Sequence, residues 1–236
     1  MDSVKGALLK QKEVLLKLLI EKDYKNLCKK LNSICILFCL PRTKYDRTFF
    51  TPYNEGIFDT QGYVNYSVIT TQSKGITYRY IAASKPRKSN VQSFKRLFRH
   101  SDIIISCIKD INYVDCPIKS VPIKLNNKII FYDEIYEDCR ILRFENWKDH
   151  DVLDVDEIKL FYKYYKNLNI SNPLIHCLAG VGRTGFIIMY DILYCRKVRV
   201  EEFLDILIDL RSQRNGLVYS EKQMKFLAET FIDERQ

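Results

Sequence analysis

The sequence has little of what marks a membrane protein or a metalloprotein. No apolar run approaches the roughly 20 residues that a membrane-spanning helix needs, and ICILFCL at 34–40 is far too short. The histidines, His100, His150 and His176, do not stand at metal-ligand spacing, and no CxxC pair occurs. We therefore expect no metal, no other cofactor and no insertion into a membrane.

The chain also lacks a linker rich in Pro, Gly or Ser, a low-complexity tract and an internal repeat. Its 236 residues, 47% hydrophobic and 28% charged, are typical of a soluble globular protein with one well-buried core. The sequence therefore predicts a single catalytic domain over residues 1–236, in which residues 1–40 form a helical extension packed on the rest. We expect a monomer.

The beginning of the given sequence predicts no secretory signal. The first residues, MDSVKGALLKQKEVLL, carry acids and lysines and lack a continuous apolar segment followed by a small-residue cleavage site. The eight cysteines are scattered through mostly apolar segments of a chain large enough to fold without disulfides. Both features predict reduced thiols and a cytoplasmic location. The richness in Lys, Ile, Asn and Tyr suggests an AT-rich genome, such as that of a virus or intracellular parasite acting in the host cytoplasm.

The formal net charge is +9, so charge of one sign is in excess. An excess of positive charge favours acidic partners, which include phosphorylated proteins, nucleic acid and anionic membrane surfaces. The basic residues come in short groups such as KPRK at 85–88, which are also typical of a solvated surface. Charge alone does not choose among these partners.

The spacing of apolar residues changes along the chain. Leucines at three- and four-residue spacing predict one or two amphipathic helices over residues 3–34. Short segments rich in β-branched and aromatic residues then predict strands at 63–69, 77–84, 102–108, 118–125, 128–135 and 139–145, with one helix at 90–100 between them. Later segments predict helices at 155–168, 184–195, 200–213 and 220–232, and one strand at 173–177. The fold class is α/β (α+β), with a twisted mixed β-sheet flanked by helices and N-terminal amphipathic helices.

The segment IHCLAGVGRTG at 175–185 lies between a predicted strand and a predicted helix. Gly180 and Gly182 let the backbone curl so that N–H groups and the helix N-terminus surround an anion. Arg183 adds a planar fork that can hold two oxygens of a tetrahedral dianion. The same positive field should stabilise a thiolate at Cys177 and make it a nucleophile. The sequence therefore predicts phosphoryl transfer to sulfur.

HCLAGVGRTG resembles the signature loop of the cysteine-dependent protein tyrosine phosphatases. The resemblance covers about 190 residues, from TKYDR at 43–47 to the C-terminal helix, and the order of its motifs is that of the phosphotyrosine-specific branch. YVNYSVI is similar to the family's Y-I-N-A-S strand, YIAASKP to Y-I-A-T-Q-G-P, SFKRLF to D-F-W-R-M, NWKDHDV to the mobile W-P-D-H-G loop, and RNGLVYSEKQMKF to the segment of the catalytic glutamines.

The resemblance implies a role for each matching residue. Cys177 would be the nucleophile, Arg183 the phosphate clamp and Asp149 the general acid. Thr184 would ease departure of the thiolate in the second step, and His176 would orient the loop. Substrate would contact Leu178, Ala179, Gly180, Val181, Gly182 and Arg183, with Tyr45 on the pocket wall and Trp147 in the acid loop.

The acid loop and its surroundings depart from the family pattern. Lys148 replaces a proline and Asp151 replaces a glycine, which predicts a more flexible loop. Asp46 follows Tyr45 directly, one position earlier than the family's contact to the substrate backbone, so the resemblance does not carry peptide anchoring over to Asp46.

Further departures affect the clamp and the second chemical step. Asp110 stands where the family has the glutamate that pairs with the clamp arginine, and Asp115 stands where it has a lysine. Tyr219 occupies the position of the glutamine that places the hydrolytic water, whereas Gln223 retains the second glutamine. These changes bear on whether a phosphocysteine is hydrolysed quickly.

Three functions remain open. An active phosphatase for phosphotyrosine-containing proteins is favoured because Asp149 and Thr184 are retained beside Cys177 and Arg183, which a binding module would not need. A pseudophosphatase or slow-turnover trap would keep the pocket and bind phosphotyrosine. An RNA 5′-phosphatase of the same superfamily is suggested by the charge. Nucleic acid is disfavoured by the long tyrosine-specific strand region and the uncharged loop, and phosphoinositides by the absence of lysines in that loop.

Overall fold

The computed structural model describes residues 3–38 and 63–233. Its first part forms three helices, α1 (Val4–Lys10), α2 (Lys12–Ile20) and α3 (Tyr24–Ile36), where leucine spacing predicted one or two. The breaks have local causes: the Gln11 N–H turns back to the carbonyl of Leu8, and Lys22 takes a left-handed φ of 57°. Asp23 then begins α3 by accepting a hydrogen bond from the backbone N–H of Asn26.

The predicted mixed sheet is confirmed. Its strands within the described residues are β1 (Tyr66–Ser73), β2 (Ile76–Ser84), β3 (Ile104–Ser106), β4 (Lys119–Leu125), β5 (Lys128–Ile135), β6 (Arg140–Phe144) and β7 (Leu174–Cys177). They form one seven-stranded sheet in the order β1-β2-β7-β3-β6-β5-β4. The central strands β2, β7, β3 and β6 run parallel, and the outer pairs are antiparallel.

Five further helices follow in the second part of the described chain: α4 (Val91–Lys95), α5 (Val155–Lys166), α6 (Gly182–Leu193), α7 (Val200–Gln213) and α8 (Glu221–Phe231). The predicted helix at 90–100 is confirmed as a helical segment, but only α4 within it is α-helical, and 3₁₀ turns flank α4 on both sides. Its apolar residues, Phe94, Leu97 and Phe98, are all buried in one cluster, and either kind of helix can bring them there.

The sheet separates two apolar clusters. Side chains alternate along the central strands, so that Ile105 and Ile175 enter the larger cluster and Ile104 and Leu174 the smaller one. Helix α6 lies within the larger cluster and is buried from Arg183 to its end. A helix surrounded by packing is a rigid base for the loop that precedes it.

The N-terminal helices belong to the same larger cluster. Helix α1 packs on α7, α2 on α3 and α7, and α3 on α8. Leu8, Leu15, Leu27 and Leu31 are fully buried in these contacts. The extension therefore covers the two C-terminal helices, α7 and α8. It lies on the face of the sheet that carries the larger cluster, whereas α4 lies on the other face.

Candidate active site

The loop of residues 178–181 joins β7 to α6. Cys177 is the last residue of β7, and its side chain is buried with 3% exposure. Because β7 runs parallel to both neighbours, β2 and β3, the loop leaves the sheet where the carboxyl ends of three strands meet. Such edges are where α/β proteins hold ligands.

Gly180 shapes this loop. It has a left-handed φ of 70°, and a Cβ there would lie 2.2 Å from the carbonyl oxygen of Ala83 at the end of β2. Only glycine fits that position. Its backbone N–H points inward and donates a hydrogen bond to Cys177 Sγ at 3.2 Å. The loop thus directs an N–H donor at the predicted nucleophile.

Arg183 lies one residue inside α6 and is 3% exposed. Its Nη1 donates to the carbonyl oxygens of Cys107 at 3.2 Å and Trp147 at 2.8 Å, and its Nη2 donates to Asp149 Oδ1 at 2.9 Å. The Nε–H is buried and has no acceptor among the described residues. A buried donor without a partner is costly, and an oxyanion in the loop could supply the missing acceptor.

Asp149 lies in the acid loop, residues 146–153, and its carboxylate contacts the guanidinium of Arg183. Its side chain is 54% exposed on the solvent side of the Arg183 ion pair. The neighbouring Trp147 is buried against Phe144 and Phe186, and its indole N–H donates to the carbonyl of Asp151 at 2.9 Å. The structure therefore brings the predicted acid to the predicted clamp, in the first turn of the helix that follows the loop of Cys177.

Asp151, which replaces a glycine of the family, has an ionic partner. Its carboxylate lies 2.9 Å from Lys222 Nζ in the first turn of α8, and this contact holds the pKa of Asp151 below its ordinary value. Gln223 Nε2 donates to the Asp151 carbonyl at 3.2 Å, and Ser220 Oγ donates to the His150 carbonyl at 3.0 Å. The start of α8 therefore holds the acid loop over the pocket.

We expect Lys222→Met to loosen the acid loop. A surface ion pair of this kind changes a two-state population by about two- to threefold. The turnover of aryl phosphates should fall by that factor, most clearly at low ionic strength. Trp147 is the only tryptophan. Tungstate binding should change its fluorescence more in the variant, because the loop of the unliganded variant is more often open.

Lys225→Met, an exposed position on the same helix, is the control. Identical responses in both variants would contradict the role of Lys222.

His176 stands behind the loop on the opposite face of β7. Its Nε2 lies 2.6 Å from the hydroxyl oxygen of Tyr113, and its ring packs edge-on against Phe94. Complete burial lowers the pKa of His176 to about 3 and raises that of Tyr113 well above its ordinary value, so both groups are neutral at physiological pH. This arrangement fits a residue that orients the loop. Sequence reasoning did not single out Tyr113, because nothing in INYVDC marks it.

Arg214 is a second buried arginine at the loop, and sequence reasoning missed it. Its Nε donates to the carbonyl of Gly180 at 2.7 Å, and its Nη2 donates to the carbonyl of Ala179 at 3.3 Å and to Asn65 Oδ1 at 2.8 Å. Nη1 donates to Ser67 Oγ at 3.2 Å. By holding the loop carbonyls outward, Arg214 helps to keep the N–H groups facing the pocket. The available signal was its place directly before Asn-Gly in the segment of the family's glutamines.

The structure places the remaining loop residues at different depths. Leu178 is half exposed, Ala179 and Gly182 are partly buried, and Val181 is buried. The Thr184 hydroxyl is fully buried and has no hydrogen-bond partner among the described residues.

Asp110 does not take the place that the resemblance implies for it. Asp110 is exposed, and it is not among the acceptors of Arg183 in the described chain; Asp149 and backbone carbonyls take that place. The pairing that the resemblance implied for Asp110 is therefore not formed. Tyr45 lies outside the described residues.

Gln223 and Tyr219 flank the acid loop. Gln223 is fully buried, and its Oε1 accepts a hydrogen bond from the Ser220 N–H at 3.4 Å while its amide nitrogen donates to Asp151. A Cβ at Gly182 would lie 3.1 Å from Gln223 Oε1, so the amide reaches the loop. The Tyr219 ring lies 5.9 Å from the ring of His150.

Neither a metal cluster nor a membrane span is found in the described part of the chain. No group of three or more His, Cys, Asp or Glu side chains in residues 3–38 and 63–233 is placed to hold a metal ion. None of the helices in those residues has the length and apolar character needed to cross a bilayer.

Comparison with known proteins identifies the family that the motifs resemble. A family model described as protein-tyrosine phosphatase matches residues 95–233. Human tyrosine-protein phosphatase non-receptor type 20 is 25% identical over 207 residues, which cover 74% of this chain and 49% of that protein. The Lar-like tyrosine-protein phosphatase of Caenorhabditis elegans is 28% identical over 141 residues, 57% of this chain and 6% of that protein.

The chain spans at most about half the length of these relatives. Mouse tyrosine-protein phosphatase non-receptor type 13 is 34% identical over 95 residues, 39% of this chain and 4% of that protein. The family model covers more than half of the 236 residues and includes the loop at Cys177. The resemblance stated from the motifs is thus confirmed, and the chain belongs to the protein-tyrosine phosphatase family.

Proposed function

We propose that this protein hydrolyses phosphotyrosine on proteins through a phosphocysteine intermediate. The observation that carries the proposal is the meeting of Asp149 and Arg183 at 2.9 Å above the loop that begins at Cys177. Nucleophile, anion clamp and acid then surround one point, as two-step phosphoryl transfer requires. Family membership and the names of the relatives support the same reaction class.

In the first step, a phosphate dianion would bind to the inward N–H groups and to Arg183, displacing Asp149 from the clamp. The Cys177 thiolate would attack phosphorus in line with the phenolic oxygen, and the P–O bond would break. Asp149 would give its proton to the departing phenolate, which needs one to leave. The acid loop, which the buried Trp147 anchors in the core, would limit the access of water to this step.

In the second step, water would attack the phosphocysteine while Asp149, now a carboxylate, takes a proton from it. The leaving group is the Cys177 thiolate. The buried Thr184 hydroxyl has no partner among the described residues, and a hydrogen bond from it to sulfur would stabilise that thiolate.

The substrate class follows from the chemistry of the loop. Leu178, Ala179 and Val181 present no cation beyond Arg183, so the loop suits a singly phosphorylated aryl group better than a polyphosphorylated headgroup. The seven cysteines in the described residues are free thiols, which supports a reducing, cytoplasmic compartment. We expect the protein to act as a monomer on phosphotyrosine-containing proteins.

The test is direct. The purified protein should hydrolyse p-nitrophenyl phosphate, and vanadate should inhibit it competitively. Acid quench during turnover of a ³²P-phosphotyrosine peptide should trap label on the peptide that contains Cys177. Turnover without any trapped label on that cysteine, or label on another residue, would contradict the phosphocysteine route. Faster release of phosphate from a triphosphorylated RNA 5′ end than from the peptide would favour the RNA phosphatase.

One observation favours a second candidate, a slow-turnover phosphotyrosine trap. Tyr219 stands where the family has a water-placing glutamine, and the Gln223 amide is bonded to Ser220 and Asp151. A tyrosine hydroxyl reaches farther from the backbone than a glutamine amide and fills space that the water would need. The pocket would then bind and transfer phosphate but release it slowly.

Tyr219→Gln should therefore accelerate the second step selectively. The parent protein should show a pre-steady-state burst of phenol followed by slow turnover, and the variant should raise the steady rate more than the burst rate. Tyr219→Phe, which keeps the bulky ring and likewise lacks the amide that would place the water, is the matched control and should stay slow. Rapid-quench kinetics with no burst in the parent, and no gain in the variant, would show that Tyr219 does not limit hydrolysis.

A further inference from the structure

A basic run follows β2 along the chain. Residues 85–101 contain six Lys or Arg residues and no Asp or Glu, in a chain whose formal net charge is +9. Phe94 and Leu97 within this run are fully buried and hold it on the smaller apolar cluster. Side chains three and four residues apart share one face of a helical segment, and the face turned away from that cluster is polar. It carries Gln92, Lys95, Arg96 and Arg99.

The side chains of this polar face line a cavity. Its volume is about 370 Å³, at the lower end of the range of about 300–1,000 Å³ that small-molecule sites have. Phe98, which is 8% exposed, lines it with an aromatic ring, and Asp138 adds a carboxylate from the turn between β5 and β6. Neither Lys95 nor Arg99 forms a salt bridge with another residue of the described chain. Both cations are therefore available to a ligand.

The cavity is remote from the catalytic loop. Strands β3, β6 and β7 run parallel, so their amino ends share one edge of the sheet and their carboxyl ends share the other. Asp138 lies in the turn that leads into β6 at Arg140, and therefore at the amino edge. Cys177 ends β7 at the carboxyl edge. The four residues of β7 alone span about 13 Å between the edges, so the cavity is a separate site.

We propose that this cavity is a second anion-binding site, and that its ligand is a polyol ring that carries two or more phosphate groups. The guanidinium of Arg99 and the ammonium of Lys95 are the donors that phosphate oxygens prefer. The Asp138 carboxylate accepts hydrogen bonds, and ring hydroxyls can donate them. The Phe98 ring offers an apolar surface to the C–H face of the polyol. An inositol phosphate combines these features.

Other anions match the cavity less well. A bare polyphosphate would meet the carboxylate of Asp138 with no hydroxyl to donate to it. An extended acidic peptide or a single-stranded RNA needs a groove that continues over several residues or nucleotides, whereas this site is a compact hollow. The catalytic loop differs again, because its residues 178–182 add no cation to Arg183. Binding in the cavity is independent of turnover at Cys177.

The experiment titrates inositol trisphosphate into the full chain in a calorimeter. We expect saturable binding that weakens as salt is added, because the cations lie near the surface. Tungstate, at the concentration that saturates the fluorescence response of Trp147, should leave this affinity unchanged. Competition between tungstate and the inositol phosphate would place the ligand in the catalytic loop and would overturn the proposal.

Charge-matched variants test the cavity itself. The double variant Lys95→Met, Arg99→Met should lower the affinity by at least about tenfold, because it removes two charge-assisted hydrogen bonds. The control is Lys88→Met with Lys225→Met, which also removes two cations, at exposed positions outside the lining of the cavity. An equal loss of affinity in both double variants would reduce the effect to the net charge of the protein and contradict a built site.

Asp138→Ala separates a phosphorylated ring from a bare polyphosphate. Removal of the carboxylate should raise the affinity for tripolyphosphate, which Asp138 repels. The inositol phosphate loses an acceptor for its hydroxyls at the same time, so the ratio of its affinity to that of tripolyphosphate should fall by about threefold or more. An unchanged ratio would show that the ring hydroxyls do not contact Asp138, and would overturn the polyol assignment.

Vesicles distinguish the two sources of this headgroup. Phosphatidylcholine vesicles with a minor share of phosphatidylinositol bisphosphate are compared with vesicles that carry phosphatidylserine at equal charge. Recruitment by the phosphoinositide alone, at a lower headgroup concentration than free inositol trisphosphate requires, assigns a lipid; weaker recruitment assigns a soluble ligand, and both uphold the site. The proposal fails if inositol trisphosphate shows no saturable binding up to about 1 mM, or if an acidic peptide or a short RNA binds the cavity equally well.

Discussion

Cys177→Ser is expected to abolish the turnover of aryl phosphates and to leave oxyanion binding intact. The serine hydroxyl is far less acidic than a thiol and has no adjacent base, so kcat should fall on the order of 10⁴-fold or more. The groups that hold the anion, the loop N–H donors and Arg183, are unchanged. The Gly180 N–H, which donates to Cys177 Sγ at 3.2 Å, can donate to a serine oxygen.

Two measurements check this. Turnover of p-nitrophenyl phosphate should vanish, whereas tungstate should still change the fluorescence of Trp147, the only tryptophan, with an affinity within a few-fold of the parent. Cys139→Ser, at a partly buried position in the turn between β5 and β6, is the control and should retain full activity. A Cys177→Ser protein with near-parental turnover would show that another residue is the nucleophile.

The strand and helix that carry the loop could be predicted because their local signals agree. PLIHC is a short apolar run, TGFIIMYDILYC is apolar over helical length, and glycines stand between them. Helix α6 begins at Gly182, next to the predicted start near Arg183, so Arg183 and Thr184 lie in its first turn. Helix ends of this kind depend on the packing of the loop, which the sequence does not state.

The N-terminal region shows the limit of periodicity. Leucine spacing does not reveal a break of one or two residues, so the breaks after α1 at Gln11 and after α2 at Lys22 could not be predicted. Neither residue is a glycine or a proline, the usual signals of a helix end. Packing on α7 and α8 fixes these helices instead.

The contacts that sequence reasoning missed join segments far apart in the chain. Lys222 reaches Asp151, and Arg214 reaches Asn65 and Gly180. The prediction of a more flexible acid loop rests on Lys148 and Asp151 as departures from the family pattern, and the sequence does not reveal that Asp151 has a partner in α8.

Arg214→Met is expected to weaken both the fold and the loop. Methionine fills much of the space but leaves the Gly180 carbonyl and Asn65 Oδ1 without the donor that bonds them now, in a fully buried place. Unsatisfied buried groups cost about 1–3 kcal/mol each, so unfolding free energy should fall by about 3 kcal/mol or more. In a chain of this size that corresponds to a Tm lower by roughly 6–12 °C. A loop displaced by about 1 Å would lose on the order of 10²-fold in kcat/KM.

A general loss of stability must be separated from a loss of loop geometry, and α7 supplies the matched variant. Arg211 is equally buried, but its Nη groups bond Asn32 Oδ1 and the Val218 carbonyl, both at 2.8 Å, and no atom of residues 178–181. Arg211→Met should lower Tm by a similar amount and keep most of the tungstate affinity, whereas Arg214→Met should lose at least about tenfold in that affinity, because the N–H groups no longer converge. Equal affinities in two equally destabilised variants would show that Arg214 supports the fold alone and does not shape the anion site.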